Sequence, residues 1–192
     1  MWLALAIDPQ ILGTLYAATT KGVFKSTDGN STWALAGGDT SYASSVVVDP
    51  RNPSTVYASG IGMRKSTDGG NTWTAINTGI NPGFSIYMLA IDPVTTSTLY
   101  AATVAGVYRS TNAGASWSQI NSGLRIPVFG VDTLAVAASN PAVLYAAAST
   151  SGLYRSTDSG AHWTRMPIES AKVTPAAVTC GVSFGLASCG NR

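Results

Sequence analysis

One phrase, written four times, constrains this chain more than any other feature. It runs "KSTDGNSTW" from Lys25, "KSTDGGNTW" from Lys65, "RSTNAGASW" from Arg109 and "RSTDSGAHW" from Arg155. Its serines are Ser26, Ser66, Ser110 and Ser156, at intervals of 40, 44 and 46 residues. Two further words keep step with it. "LYAAT" at Leu15 returns as "VYASG" at Val56, "LYAAT" at Leu99 and "LYAAA" at Leu144. Ahead of each stands "AIDP" at Ala6, "VVDP" at Val47, "AIDP" at Ala90 and a degraded "ASNP" at Ala138. A unit of this length that recurs in fixed order cannot bury its apolar faces alone and must stack on its neighbours.

Each unit reads as four short strands separated by Gly, Pro, Asn and Asp. An apolar strand ends at Asp-Pro, the Leu-Tyr-Ala-Ala run follows, then a "GVFKS"-type strand, and finally a strand begun by Trp. Strands of about five residues with such punctuation, and no helical period, predict an all-β chain. Four antiparallel strands every 40 to 46 residues predict β-propeller blades. The expected units are 1–38, 39–80, 81–123 and 124–168, with 169–192 a tail that starts a degraded fifth repeat. Ala17, Ala18, Ala101, Ala102, Ala146 and Ala147 suit a position where neighbouring sheets approach closely.

The phrase has a structural reading. Asp28, Asp68, Asn112 and Asp158 fall in a tight turn, where a short side-chain oxygen accepts backbone N–H groups. Gly70, Gly114 and Gly160 permit positive φ, and Asn30 takes that place in the first copy. Trp33, Trp73, Trp117 and Trp163 are expected to pin each turn against its blade. Lys25, Lys65, Arg109 and Arg155 read as surface strand residues. The turn lacks the alternating oxygen ligands and bidentate Glu of a calcium loop, so neither metal nor cofactor is expected. Asn30-Ser31-Thr32 is a formal glycosylation sequon, accidental inside a tight turn.

The pattern Ser-x-Asp-x-Gly-x-Thr-Trp resembles the Asp-box, or bacterial neuraminidase repeat. Residues 66–73 match it fully, while the other copies carry Asn30 for Gly, Asn112 for Asp, Ser116 for Thr and His162 for Thr. The wider repeat, over about 1–168, resembles propellers of sialidases, xyloglucanase-type glycoside hydrolases, sortilin-type receptor domains and photosystem II assembly factors. The resemblance implies a propeller of about four blades, partial or small. It implies that the box is structural and remote from any catalytic face, and it implies no single activity. Members of the family are often secreted or extracytoplasmic. Here "MWLALAIDP" lacks a basic n-region and a cleavage site, and reads as a strand.

In a propeller, the loops leaving the fourth and second strands share one face. The candidates there are 34–44, 76–86 and 120–130, with shorter turns at 19–22, 60–62, 103–106 and 149–152. Tyr42, Tyr87 and Arg125 are the candidate ligand-binding residues, because aromatic faces pack on sugar or peptide while polar tips orient it. Asp39 and Asp132 are the candidate catalytic carboxylates, as a glycosidase needs two acids across a cleft. Asp8, Asp49 and Asp92 are turn formers ahead of Pro. Arg125-Ile126-Pro127 resembles the Arg-Ile-Pro element of sialidases, but follows the third box instead of preceding the first. The one Glu, Glu169, lies beyond the last box, and no arginine triad assembles.

Composition excludes other classes. Charged residues are 10% of the chain, against about 25% in an average soluble protein, and the net charge is +2. No basic cluster exceeds Arg64-Lys65, so a nucleic-acid partner is not expected. No apolar run approaches the ~18 residues of a membrane span. Cys180 and Cys189 either bridge or stay free; the sequence leaves both open. The leading expectation is a non-catalytic module that binds carbohydrate or protein through the loop face. The alternatives are a glycoside hydrolase or a fragment of one, and an assembly scaffold. Four blades are few for this family, so a homodimer completing a larger ring is a further expectation.

Overall fold

The computed structural model describes residues 2–37, 42–126, 130–148 and 150–167. All of the regular structure among them is β, in four antiparallel sheets of four strands. Blade one comprises β1 (Trp2–Ile7), β2 (Leu15–Thr19), β3 (Gly22–Ser26) and β4 (Ala34–Leu35). Blade two comprises β5 (Ala43–Val48), β6 (Val56–Gly60), β7 (Gly62–Ser66) and β8 (Thr74–Ala75). Blade three comprises β9 (Ile86–Ile91), β10 (Leu99–Thr103), β11 (Gly106–Ser110) and β12 (Ser118–Gln119). Blade four comprises β13 (Thr133–Val136), β14 (Leu144–Ala148), β15 (Gly152–Ser156) and β16 (Thr164–Arg165). Within every sheet the strands lie in chain order, each pairing with the next. This is the meander of a propeller blade.

The first strands stand innermost and pack in succession, β1 on β5, β5 on β9 and β9 on β13. Three apolar cores lie at the seams between blades. Val46, Val48 and Val56 join Tyr16 and Ala18 at the first, while Leu89, Leu99 and Trp117 join Tyr57 and Met63 at the second. Leu134, Leu144, Tyr154 and Trp163 join Tyr100 and Val107 at the third. No such core joins blade four to blade one among the described residues. The four blades therefore form an arc of a propeller. Ala17, Ala18, Ala101 and Ala102 of the second strands are fully buried, because a larger side chain would hold the sheets apart.

The repeated turn closes on itself by hydrogen bonds. Ser66 donates its hydroxyl to Asp68 at 2.7 Å and accepts the Gly70 N–H at 2.8 Å. Asp68 accepts the Thr72 N–H at 2.9 Å and its hydroxyl at 2.6 Å. Asp28 does the same with Thr32, and Asp158 accepts the His162 N–H at 2.9 Å. Asn112 keeps the backbone bond to Ser116 and donates its amide to the Ser116 hydroxyl at 2.8 Å. The turn needs φ of 87°, 90°, 86° and 86° at Asn30, Gly70, Gly114 and Gly160.

The tryptophans do more than pin their own blades. Trp73, Trp117 and Trp163 each donate the indole N–H to a carbonyl of the preceding blade: Ala36 at 2.9 Å, Ile76 at 2.9 Å and Ile120 at 2.7 Å. Trp33, at the start of the arc, bonds instead to Asn30 of its own turn at 2.9 Å. The basic residues reach the other way. Lys25, Lys65 and Arg109 donate to the turn carbonyls of Gly69, Ala113 and Ser159 in the following blade, at 2.9, 3.3 and 3.0 Å. These three are therefore seam residues, not surface residues as the strand pattern suggested. Each side chain is long enough to cross the seam, and each turn leaves one carbonyl pointing at it.

One alignment also shifts. Asp8, Asp49 and Asp92 each accept two backbone N–H groups of the turn that follows β1, β5 and β9. Their own N–H groups donate to Thr14, Thr55 and Thr98. In blade four that donor is Ala137, and Asn140 sits three residues further on, where its carbonyl accepts the Val143 N–H at 2.9 Å. "ASNP" therefore resembles "AIDP" in letters but not in register.

Candidate functional site

The propeller topology divides the loops between two faces. The turns after β1, β5, β9 and β13 lie with the Ser-to-Trp turns, to which they bond through Gly29 to Gly13, Gly69 to Ser54, Ala113 to Ser97 and Ser159 to Ala142. The opposite face gathers the blade-to-blade connections and the turns after β2, β6, β10 and β14. Gly62 N–H donates to Phe84, Val104 to Ser85 and Val131 to Thr103.

Asparagines fix those connections. Asn77 accepts the Met63 N–H at 2.7 Å, and Asn121 accepts that of Val107 at 2.8 Å while donating to Ala105 at 3.0 Å. Thr19 and Thr103 close their turns by donating to Gly22 at 2.8 Å and Gly106 at 2.9 Å. The asparagines escaped the sequence reading. The signal was present, since "INTG" at Ile76 returns as "INSG" at Ile120. It occurs only twice, because blade one exits through Ala36-Gly37 and blade four continues into residues outside the described set.

The candidate residues fall on this face but come from different blades. Tyr42, 45% exposed with φ of 53°, stands at the entry to β5. It lines a shallow cleft with Ser59, Gly60, Ile61 and Arg64. A Cβ at Gly60 would collide with the Tyr42 carbonyl, so glycine is what lets the connection lie against the turn. Tyr87 is half-buried in β9. Arg125 is exposed in the connection between blades three and four, and its carbonyl accepts the Ser151 hydroxyl at 2.8 Å. Asp132 is exposed just before β13, its N–H bonded to Ala147 at 2.9 Å. Asp39, Glu169, Cys180 and Cys189 lie outside the described residues.

The carboxylates divide unevenly between the two faces, although the turn face also carries Arg51 and the cations Lys25, Lys65 and Arg109 that reach its carbonyls. The turn face carries Asp8, Asp28, Asp49, Asp68, Asp92 and Asp158, all engaged with turn N–H groups. Hydrogen bonds from Thr32 and Thr72 hold the carboxyls of Asp28 and Asp68 down to about 2. The His162 N–H lowers that of Asp158 likewise. Besides Asp132, the loop face carries Lys21 in the first β2–β3 turn, Arg64, Arg125 and Arg165, whose guanidinium lies against Gly152. Among the described residues no group of three His, Cys, Asp or Glu could hold a metal, and no helix is long and apolar enough to cross a membrane.

This fold and face define a β-propeller protein. Solved propellers are similar to it over most of its length. An ancestral GH74 enzyme matches at a TM-score of 0.74 and 24% identity, over 86% of this chain and 24% of that one. The GH74 enzyme of Niastella koreensis matches at 0.69 and 29%, over 83% of this chain and 28% of that one. YCF48 bound to D1 peptide matches at 0.56 and 18%, over 79% of this chain and 49% of that one. The chain thus spans about a quarter of the GH74 enzymes it resembles. No protein-family model matches the sequence. No curated protein matches it either.

Proposed function

We propose that this chain is an Asp-box propeller segment that works as a non-catalytic binding module, taking carbohydrate or protein on its loop face. One observation carries the reading. Six of the seven carboxylates among the described residues are committed to turns on the opposite face, and Asp132 is the one described carboxylate on the loop face, Asp39 lying outside the described residues. Two carboxyls across a cleft are what glycoside hydrolysis requires. What the loop face does offer is Tyr42 beside a shallow cleft, the half-buried Tyr87 and a surplus of cations that includes Arg125. Such a surface suits a hydroxyl-rich or carbonyl-rich ligand laid across it. The peptide-bound YCF48 propeller supports the protein arm of this reading, and the GH74 propellers support the carbohydrate arm.

The alternative is a glycoside hydrolase segment, with Asp39 and Asp132 as its acids; an assembly scaffold is the third. The GH74 likeness favours the second reading. The test is a panel of β-glucans, xyloglucan included, and of acidic peptides, scored for both binding and hydrolysis. Binding without turnover, weakened about tenfold or more by Tyr42→Ala or Arg125→Ala, is the expected result. Turnover abolished by Asp39→Ala or Asp132→Ala would replace it with the hydrolase.

A further inference from the structure

The two ends of the arc present opposite halves of the seam that already recurs three times inside it. At an inner seam the following blade offers apolar first-strand residues, an indole N–H and a turn carbonyl. The preceding blade offers a tyrosine, a basic side chain and a carbonyl three residues past its own Trp. Blade one still displays the first set. Leu5 and Ile7 are 43% and 51% exposed, whereas their counterparts Val46 and Val48 in blade two are 3% and 8%. Blade four displays the second set. Arg155, the counterpart of Arg109, is exposed and has no acceptor among the described residues. Tyr145 is only half-buried, although Tyr16, Tyr57 and Tyr100 are each 1% exposed.

We infer that the leading face of blade one docks on the trailing face of blade four of a second copy of this chain. In this seam Ile7 enters the apolar core beside Tyr145. The Trp33 indole N–H turns from Asn30 to the Met166 carbonyl, which occupies the place of Ala36, Ile76 and Ile120. Arg155 donates to the Gly29 carbonyl, as Arg109 does to Ser159. The interface is heterologous, each copy using one face at each seam, and such interfaces close into rings when the rotation permits. Propellers typically have four to eight blades. Two four-blade arcs joined at both seams make eight blades, which falls within that range. The occupant is a second copy because one chain carries both complementary faces.

The experiment uses the full 192-residue chain and two variants, each lesioned at one exposed face: Ile7→Asp and Tyr145→Asp. Light scattering on a size-exclusion column reads the mass. The native chain should run at twice its 19.7 kDa, and each variant alone at 19.7 kDa. Mixed in equal amounts, the two variants should recover the doubled mass. The Tyr145→Asp copy keeps an intact leading face, and the Ile7→Asp copy an intact trailing one. Recovery on mixing also shows that both variants fold. A native chain that stays monomeric at its highest soluble concentration overturns the proposal. So does a lone variant that remains dimeric, or a mixture that does not associate.

Discussion

The tryptophans of the second, third and fourth turns are residues on which two blades meet. Each packs at the seam with the preceding blade, and its indole N–H satisfies a carbonyl there that would otherwise face an apolar seam. Trp163 is 1% exposed and Trp117 is 4% exposed. Truncating a buried Trp typically costs about 3–5 kcal/mol. Trp163→Ala should therefore cost that much in urea unfolding, and Trp33→Ala distinctly less, because Trp33 is only half-buried and its indole N–H bonds to Asn30 of its own turn. The carboxylates make a second prediction at this scale. A depressed carboxylate contributes stability above its ordinary value, here 3.8, and loses it as the pH falls through the folded value, about 2. Acid unfolding should accordingly draw on Asp28 and Asp68 between those limits. Asp68→Asn should flatten that part of the profile and keep the turn, since Asn112 already holds the same turn with an amide. Burial raises Tyr16 and Tyr57 to about 12 from 10.0. Their contribution is present below 10 and lost as the pH climbs through 12, which a stability-against-pH series would show as an alkaline limb.

At the scale of the element, each blade runs from a protected strand to an exposed one. The second strands are the most buried; β10 is buried throughout. The fourth strands have two residues each, both exposed. Short outer strands give a neighbouring chain little edge to pair with, which guards the perimeter against aggregation. Amide exchange should follow this order, slowest in β6 and β10 and fastest in β4, β8, β12 and β16, since exchange tracks local opening. Uniform protection across a blade would contradict that gradient. The connections depend on close approach. At Gly79, φ is 87° and a Cβ would strike the Trp117 carbonyl. Gly79→Ala should therefore destabilise the second seam by more than the ~1 kcal/mol that a glycine's flexibility alone involves. Its effect should appear as faster exchange in β8 and β12 before β2.

For the whole molecule, stability is a sum over blades and seams, as in other repeat arrays. Three seams are made within the chain. The fourth kind of surface, split between blades one and four, leaves Leu5 and Ile7 exposed at one end. The loop face inherits this geometry. Tyr42 is held at the entry to blade two, Tyr87 in β9 of blade three, and Arg125 and Asp132 in the connection into blade four, so a ligand wider than one blade would touch several at once. Its affinity should then fall with any seam lesion, even one remote from the loops. Trp117→Ala offers that check beside the direct lesion Tyr42→Ala.

What the sequence by itself determined is the unit and its class. Three words in fixed order define four β units, and their turn chemistry is local, so Asp28, Gly70 and Ser156 could be placed before any coordinates existed. The tertiary structure alone decided what each word faces. Trp73 and Lys25, one apolar and one charged, each stand at a fixed offset from the serine of their own copy, Ser66 and Ser26. Only the stacking of sheets shows that one reaches back across a seam and the other forward. The candidate site was legible as a set of loops, because topology assigns loops to faces. It was not legible as an arrangement, because Tyr42 and Asp132 are set by the angle between blades, and no local pattern encodes that angle. The physical reason is range. Hydrogen bonds inside a turn span a few residues, whereas seam contacts join residues some 40 apart, such as Trp73 and Ala36, and form only once both sheets exist.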